Sequence, residues 1–186
     1  SGGGDVLMGS VVTRDPALHE QLKLTHMHLG IGIGANDAEL LLRSLASMPL
    51  RYAAQDRVGR ELAAWLSLRR EVQRVLHPAL EGSPGHDHWR SRCTAAAGLF
   101  SILLDTRFST AQVDRFVDGL RLFRIGYSWA GPQSLVVPYD LPAMRGSEAI
   151  GQRSHLQGHL VRFSIGLEDA SDLQADLEQA LVAAFG

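Results

Sequence analysis

Apolar runs and amphipathic segments alternate over the last two thirds of the chain. Runs of five to seven mostly apolar residues, bounded by Gly, Pro or charged residues, predict strands. Between these runs, apolar residues recur at i, i+3, i+4 and i+7, which is the spacing of a helix with one buried face. The predicted strands are 72–76, 99–104, 122–128, 135–139 and 160–166. This order predicts an α+β unit in which an antiparallel or mixed sheet carries helices on one face.

Two of the predicted helices have recognisable first residues. Ser109 followed by Gln112 has the form of a capping box. Asp169 is placed to cap the final helix, because its carboxylate can accept from the first free amide groups. The segment 141–158 is polar and is predicted to be a loop and the most mobile part of the chain. The helical stripes predicted to enter the core are Val113, Phe116, Val117, Leu120, Leu173, Leu177, Ala180, Leu181 and Ala184.

The first 70 residues offer one predicted strand, at 6–13, followed by helices. Asp15 before Pro16 predicts a helix to about residue 24. Asn36 with Glu39 predicts the start of a second helix, and Pro49 is expected to kink or restart it. A single strand cannot form a sheet by itself. We therefore expect this part to dock on another domain or another chain. The third helix is expected to bury Ala54, Val58, Leu62 and Trp65.

Composition excludes some classes of function. The 186 residues carry a formal net charge of −2, so there is no basic footprint for nucleic acid. No apolar run approaches the roughly 18 residues that span a bilayer, which predicts no membrane association. The first residues do not form a signal peptide, and Cys93 has no second cysteine with which to pair. These features predict a protein of the reducing cytoplasm.

Arg162 interrupts the apolar alternation of the last predicted strand. Because side chains alternate between the two faces of a strand, Val161, Phe163 and Ile165 should face the core and Arg162 the opposite side. A planar guanidinium matches a carboxylate in bidentate fashion. The pattern alone leaves two interpretations open, a solvated arginine on the open face of a sheet and an arginine that binds an anionic ligand.

Ser128 and Trp129 follow another predicted strand and precede a turn of small residues. Such a turn can bring backbone amides and a hydroxyl to a ligand. From the sequence alone, the favoured interpretation is a serine in a turn and a tryptophan that fills the core.

Together these segments resemble the closing third of bacterial cystathionine β-lyases, within the Cys/Met metabolism family of pyridoxal-phosphate-dependent enzymes. The motif Arg-x-x-Ile-Gly-Leu-Glu begins at Arg162 and matches throughout. The Ser128–Trp129 pair is similar to the family's Ser-Trp-Gly-Gly-x-Glu-Ser form, with Ala130 for the first Gly and Gln133 for Glu. The resemblance extends from Asp5 to the final helix. Trp after the serine is typical of β-lyases, whereas γ-synthases and γ-lyases commonly have Leu.

The resemblance implies pyridoxal phosphate fold type I. Residues 1–35 would be the tail of the α/β cofactor-binding domain, 36–70 long bridging helices, and 71–186 the small carboxy-terminal α+β domain. It implies that Arg162 binds the substrate α-carboxylate, that Ser128 and Trp129 support the same site, and that the cofactor lysine falls before Ser1. The chain alone would then contain no catalytic residue and would be inactive. The family also implies that the intact protein is a homo-oligomer, and specifically a tetramer.

The implied reaction is β-elimination of cystathionine, a small sulfur amino acid, to homocysteine, pyruvate and ammonia. Two alternatives stay open: a related cysteine-conjugate β-lyase, γ-lyase or γ-synthase reaction, and a non-catalytic fragment that serves assembly. Lys23 is the only lysine in the sequence and is predicted to lie on a helix surface. The histidines at 26, 28, 86 and 88 lack a third ligand at a recognised spacing, so no metal site is predicted.

Overall fold

A five-stranded sheet organises the carboxy-terminal part of the chain. The computed structural model describes residues 2–145 and 157–186, and the helices and strands below belong to these residues. The helices are α1 (Pro16–His28), α2 (Ala35–Leu45), α3 (Met48–Leu66), α4 (His86–Arg92), α5 (Thr110–Asp118), α6 (Leu141–Arg145) and α7 (Ala170–Phe185). The strands are β1 (Val72–Leu76), β2 (Leu99–Leu104), β3 (Arg124–Ile125), β4 (Leu135–Tyr139) and β5 (His159–Ser164).

The sheet is mixed, as predicted. Its spatial order is β1-β2-β5-β4-β3, so the last strand in sequence lies in the middle. The β1/β2, β2/β5 and β4/β5 pairs are antiparallel, and β3 runs parallel to β4. Phe163 of β5 stands opposite Phe100 of β2 and Val136 of β4. This register lines up Phe163 with apolar residues of both neighbouring strands, which fixes the sheet on its core.

The core lies against that face and is completed by α3, α5 and α7. Phe163 is fully buried, and its ring lies 5.4 Å from the rings of both Phe100 and Phe123. Such aromatic pairs add about 1 kcal/mol each beyond the area they bury. The predicted helical stripes of α5 and α7 are confirmed, because Val113, Phe116, Val117, Leu120, Leu173, Leu177, Ala180, Leu181 and Ala184 are all buried. In α3, Val58 and Leu62 are buried, while Ala54 and Trp65 are half-buried.

Both predicted helix caps in this unit are confirmed. The Ser109 hydroxyl accepts from the Gln112 amide at 3.3 Å, and the Gln112 side chain accepts from the Ser109 amide at 3.0 Å. The Asp169 carboxylate accepts from the Ser171 amide at 2.8 Å. Hydrogen bonds from Ser171 favour the ionised carboxylate and lower the pKa of Asp169.

Several sequence predictions were wrong. Residues 6–13 do not form a strand, and Val12 is 90% exposed, because no partner strand for this segment exists among the described residues. The second helix begins at Ala35 with Gly34 as its N-cap, so Asn36 lies inside the helix. The strand predicted at 122–128 is only Arg124–Ile125 long.

Three other boundaries also differ from the sequence predictions. Helix α1 continues to His28, four residues beyond the predicted end. The predicted 141–158 loop begins with helix α6, whereas its segment 146–156 lies outside the described residues. The short helix α4 was not predicted, and the last strand ends at Ser164.

The chain divides into two compact units, Ser1–Met48 and Pro49–Gly186. The first unit contains α1 and α2, and neither helix has a buried residue. The second unit contains the sheet and its core. Among the described residues, no helix has both the length and the apolar character needed to cross a membrane.

Candidate carboxylate-binding site

Arg162 projects from the centre of the sheet, on the face opposite the core. Val161, Phe163 and Ile165 are at most 1% exposed, whereas Arg162 is partly exposed, which confirms the predicted alternation. Its cross-strand neighbours are Ser101 of β2 and Val137 of β4. Both are small or medium-sized, so the long arginine side chain rises above them. The middle strand of the sheet therefore presents one cation on its open face.

Two tyrosine rings bracket the guanidinium. The Arg162 Cζ lies 5.0 Å from the ring centroid of Tyr127 and 5.8 Å from that of Tyr139. The two rings meet edge to face, 5.9 Å apart. The two distances from the Arg162 Cζ to the ring centroids are within the range of a cation–π attraction, which contributes about 1 kcal/mol at a partly exposed site. The rings restrict the movement of the guanidinium without neutralising its charge.

The Ser128–Trp129 turn also contacts Arg162, but through the backbone. The Arg162 Nη2 donates to the Ser128 carbonyl oxygen at 3.3 Å. Trp129 is 61% exposed, so the interpretation of this residue as a core tryptophan is wrong. The structure thus brings Arg162 and Ser128 together, and leaves Trp129 at the surface of the adjoining turn.

Ala130 gives this turn an uncommon backbone. Its φ of 58° lies in the left-handed region, which favours glycine because a Cβ crowds the following carbonyl group. Outside contacts offset this strain. The Gln55 side chain of α3 donates to the Gly131 carbonyl at 2.9 Å, and the Leu167 amide donates to the Pro132 carbonyl at 2.8 Å.

Electrostatics leave the Arg162 charge available for a ligand. Among the described residues, Arg162 forms no ion pair with a carboxylate. Burial raises the pKa of Tyr139, and its hydrogen bond with Tyr127 acts in the same direction, while the Arg162 charge opposes the shift. Tyr139 therefore remains neutral at pH 7. A guanidinium without a carboxylate partner among the described residues is suited to bidentate binding of a carboxylate.

The sequence analysis missed Tyr127 and Tyr139. Tyr127 directly precedes Ser128, so proximity to the serine was a usable signal. Tyr139 carried no such signal, because its approach to Arg162 depends on the β4/β5 register. That register pairs Val137 with Arg162 and places Tyr139 one step further along the same face.

The other candidates do not form a site. Lys23 is the chain's only lysine, and its exposed ammonium lies 3.3 Å from a Glu20 carboxylate oxygen. A lysine that bonds covalently to a cofactor aldehyde needs a prepared pocket, so the exposed Lys23 does not fit covalent attachment of pyridoxal phosphate. Within residues 2–145 and 157–186, no three His, Cys, Asp or Glu side chains are grouped as metal ligands would be. Cys93 is a free, exposed thiol.

Known structures define the class of fold. The crystal structure of cystathionine γ-synthase from Xanthomonas oryzae pv. oryzae, in complex with aminoacrylate and cysteine, superimposes with a TM-score of 0.85 at 33% sequence identity. The match covers 98% of this chain and 47% of that chain. The mixed sheet with its helices is thus the small α+β domain of a pyridoxal-phosphate enzyme of fold type I.

Sequence comparison gives the family. The model of the Cys/Met metabolism PLP-dependent enzymes matches residues 1–182, and the chain belongs to this family. A cystathionine β-lyase of Bordetella avium is 39% identical over 187 residues, which is 97% of this chain and 44% of that protein. An L-alanine/L-glutamate racemase of Wolbachia pipientis wMel is 33% identical over 181 residues, 97% of this chain and 44% of that protein. The chain spans about half the length of the relatives it matches.

Proposed function

We propose that this chain forms the substrate-carboxylate-binding part of a carbon–sulfur lyase that depends on pyridoxal phosphate. The proposed reaction is the β-elimination of cystathionine, which with water gives homocysteine, pyruvate and ammonia. The observation that carries the proposal is the geometry of Arg162. Its guanidinium is held between Tyr127 and Tyr139 on an open sheet face, without a carboxylate partner among the described residues. The Bordetella relative and Trp129 favour β-elimination over the family's γ-reactions.

Arg162 would bind the substrate α-carboxylate through two parallel N–H···O hydrogen bonds. The two tyrosine rings and the Ser128 carbonyl limit the positions that the guanidinium can occupy. The bound amino acid is then held in one orientation relative to the reacting Cα, which lowers the barrier by pre-ordering the reactants. Trp129, exposed beside Ser128, would contact the rest of the substrate. When bound, the cofactor supplies the electron sink of the reaction.

An Arg162→Met variant of the full-length protein that carries this sequence tests the role of Arg162. Loss of a charged bidentate pair costs about 3 kcal/mol, so KM for cystathionine should rise about 100-fold. The cofactor absorption band should be unchanged. Arg74→Met is the matched control, because Arg74 is an exposed arginine of the edge strand β1. An unchanged KM in Arg162→Met would refute the carboxylate role.

We also propose that the chain by itself has no lyase activity, because its only lysine does not fit covalent attachment of the cofactor. The purified chain would be mixed with pyridoxal phosphate and reduced with borohydride, and the mass of the product would be measured by mass spectrometry. The expected result is no specific adduct. A stoichiometric adduct on Lys23 would contradict this assignment.

The domain assignment made from the sequence extends the proposal. Residues 1–35 would complete the cofactor-binding domain, 36–70 would bridge, and 71–186 would form the small domain. The apolar side chains exposed in the first unit, among them Leu7, Val12 and Leu29, support docking on a further domain or subunit. We infer a cytoplasmic homo-oligomer. Analytical ultracentrifugation of the full-length protein tests the assembly.

Substrate comparison separates this reaction from its alternatives. Faster turnover of cystathionine than of cystine or methionine is expected for a cystathionine β-lyase. Preference for cystine would indicate a cysteine-conjugate β-lyase, and preference for methionine a γ-lyase. The Wolbachia relative makes racemisation of alanine a necessary fourth assay. Oligomer formation without turnover of any of these substrates would instead indicate a role in assembly alone.

A further inference from the structure

Glu168 joins the end of the Arg162 segment to the neighbouring turn. Its Oε1 accepts from the Ser134 amide at 2.7 Å and from the Gln133 side chain at 3.0 Å. Its Oε2 accepts from the Ser134 hydroxyl at 2.7 Å. Hydrogen bonds from neutral donors to a carboxylate are strong, and here three of them converge on one side chain. Glu168 is therefore a fixed acceptor for two consecutive residues of the turn.

The Ser134 hydroxyl is fixed at the same time from the other side. It accepts from the Gly166 amide at 2.9 Å, while its own proton is donated to Glu168. Ser134 is fully buried, so these bonds have no competition from water. The backbone of Gly166 passes so close to the Pro132 carbonyl that a Cβ would collide with it. The turn and the segment after β5 thus touch through backbone and side chain alike.

These bonds close a ring that includes the proposed substrate arginine. Glu168 follows Arg162 by six residues, and Ser134 follows Ser128 by six residues. Segments 128–134 and 162–168 are therefore hydrogen-bonded to each other at both ends. The Glu168–Ser134 clamp joins them at one end, and the Arg162–Ser128 bond joins them at the other. The intervening turn contains Ala130 in its left-handed conformation, which needs outside contacts to persist.

We propose that Glu168 is a positioning residue for Arg162, acting through Ser134 and Gln133 on the turn that presents the Ser128 carbonyl. The effect on substrate rests on the proposed function of Arg162, whereas the effect on the Arg162 side chain does not. The neutral amide of Gln133 is part of the device. The Gln133 amide donates to Glu168 at 3.0 Å, whereas an ionised carboxylate at position 133 has no proton to donate there.

A double-mutant cycle in the full-length protein tests the positioning role. Glu168→Ala should raise KM for cystathionine about tenfold and change kcat by less than about twofold, because the arginine stays present but misplaced. Glu168→Gln keeps the length of the side chain and one carbonyl oxygen, so it should restore most of the loss. Glu178→Gln is the control, since it removes a 2.7 Å ion pair with Arg69 elsewhere in the same unit.

The second arm of the cycle separates positioning from general destabilisation. In an Arg162→Met background, Glu168→Ala should add less than about twofold to KM, because the group it positions is gone. A full tenfold effect in that background would overturn the proposal.

A second measurement, made on this chain, tests the positioning role without substrate. It remains decisive even if Arg162→Met leaves KM unchanged and the proposed function fails. The NMR signal of the Arg162 Nε–H, identified by its loss in Arg162→Met, should shift in Glu168→Ala and stay in place in Glu178→Gln. An unshifted signal in Glu168→Ala would refute the positioning role whatever the substrate is.

Discussion

Asp176 offers a direct test of how the core unit fixes the strand that leads to the site. This aspartate of α7 is buried, and its carboxylate accepts from three consecutive backbone amides of the segment before β3. The distances are 2.9 Å to Arg121, 2.8 Å to Leu122 and 3.4 Å to Phe123. The Gln179 side chain donates to the same carboxylate at 3.2 Å. One side chain thus anchors the chain reversal between α5 and β3.

Replacing Asp176 by Ala leaves these amides without their acceptor. A hydrogen bond to a charged group contributes about 1.5–3 kcal/mol. Arg121 is exposed and Leu122 half-buried, so water can solvate their amides in the variant, whereas the amide of buried Phe123 loses its partner. We therefore expect a net loss of about 3 kcal/mol in the free energy of unfolding, less than the sum of the bonds. Asp176→Asn keeps one carbonyl oxygen and should lose about 1 kcal/mol.

Urea unfolding followed by circular dichroism measures this loss. The midpoint for Asp176→Ala should fall by about 1–2 M urea, with an unchanged slope. Asp114→Ala on the exposed face of α5 is the control and should stay within about 0.5 kcal/mol of the parent. If Asp176→Ala unfolds at the same urea concentration as this control, the carboxylate does not anchor the segment and the reasoning is refuted.

Two further predictions concern buried positions. His77 is fully buried, and its pKa is lowered first by burial and then by the Arg60 charge. The contribution of neutral His77 to stability should therefore be full above pH 6.5 and fall as the pH drops below it. In urea titrations, His77→Asn should lose less stability between pH 7.5 and pH 5 than the parent protein. An equal pH dependence in both proteins would contradict this. Gly166→Ala should cost about 2–3 kcal/mol because its Cβ meets the Pro132 carbonyl, seen as a lower Tm, while Gly32→Ala, which meets no atom, should not. Equal Tm values for the two variants would disprove it.

Local patterns in the sequence were sufficient where a feature depends on neighbouring residues. The capping box of Ser109 and Gln112, the cap at Asp169 and the bounds of β2 were all predicted correctly. A cap needs only an acceptor and amides within three residues, and β2 is visible in the sequence as a short, mostly apolar run. The alternation around Arg162 was predictable for the same reason, because strand geometry alone decides which side chains share a face.

Predictions failed where an element depends on a distant partner. Residues 6–13 have strand-forming side chains but form no strand, since backbone pairing needs a second strand. The strand before Ser128 begins only at Arg124, because Asp176 takes the amides of residues 121–123. A window of neighbouring residues shows neither the competing acceptor, Asp176, nor the lack of a partner strand for residues 6–13.

The sequence by itself determined the family motif, the position of Arg162 on the open face and the main helices of the core unit. Only the tertiary structure decided what surrounds Arg162. The pairing of β4 with β5 brings Tyr139 to the guanidinium, and the turn after β3 supplies Tyr127 and the Ser128 carbonyl. The clamp from Glu168 to Ser134 likewise joins residues 34 apart in sequence. Such contacts follow from strand register and chain reversal, which result from packing of the whole unit and not from any one segment.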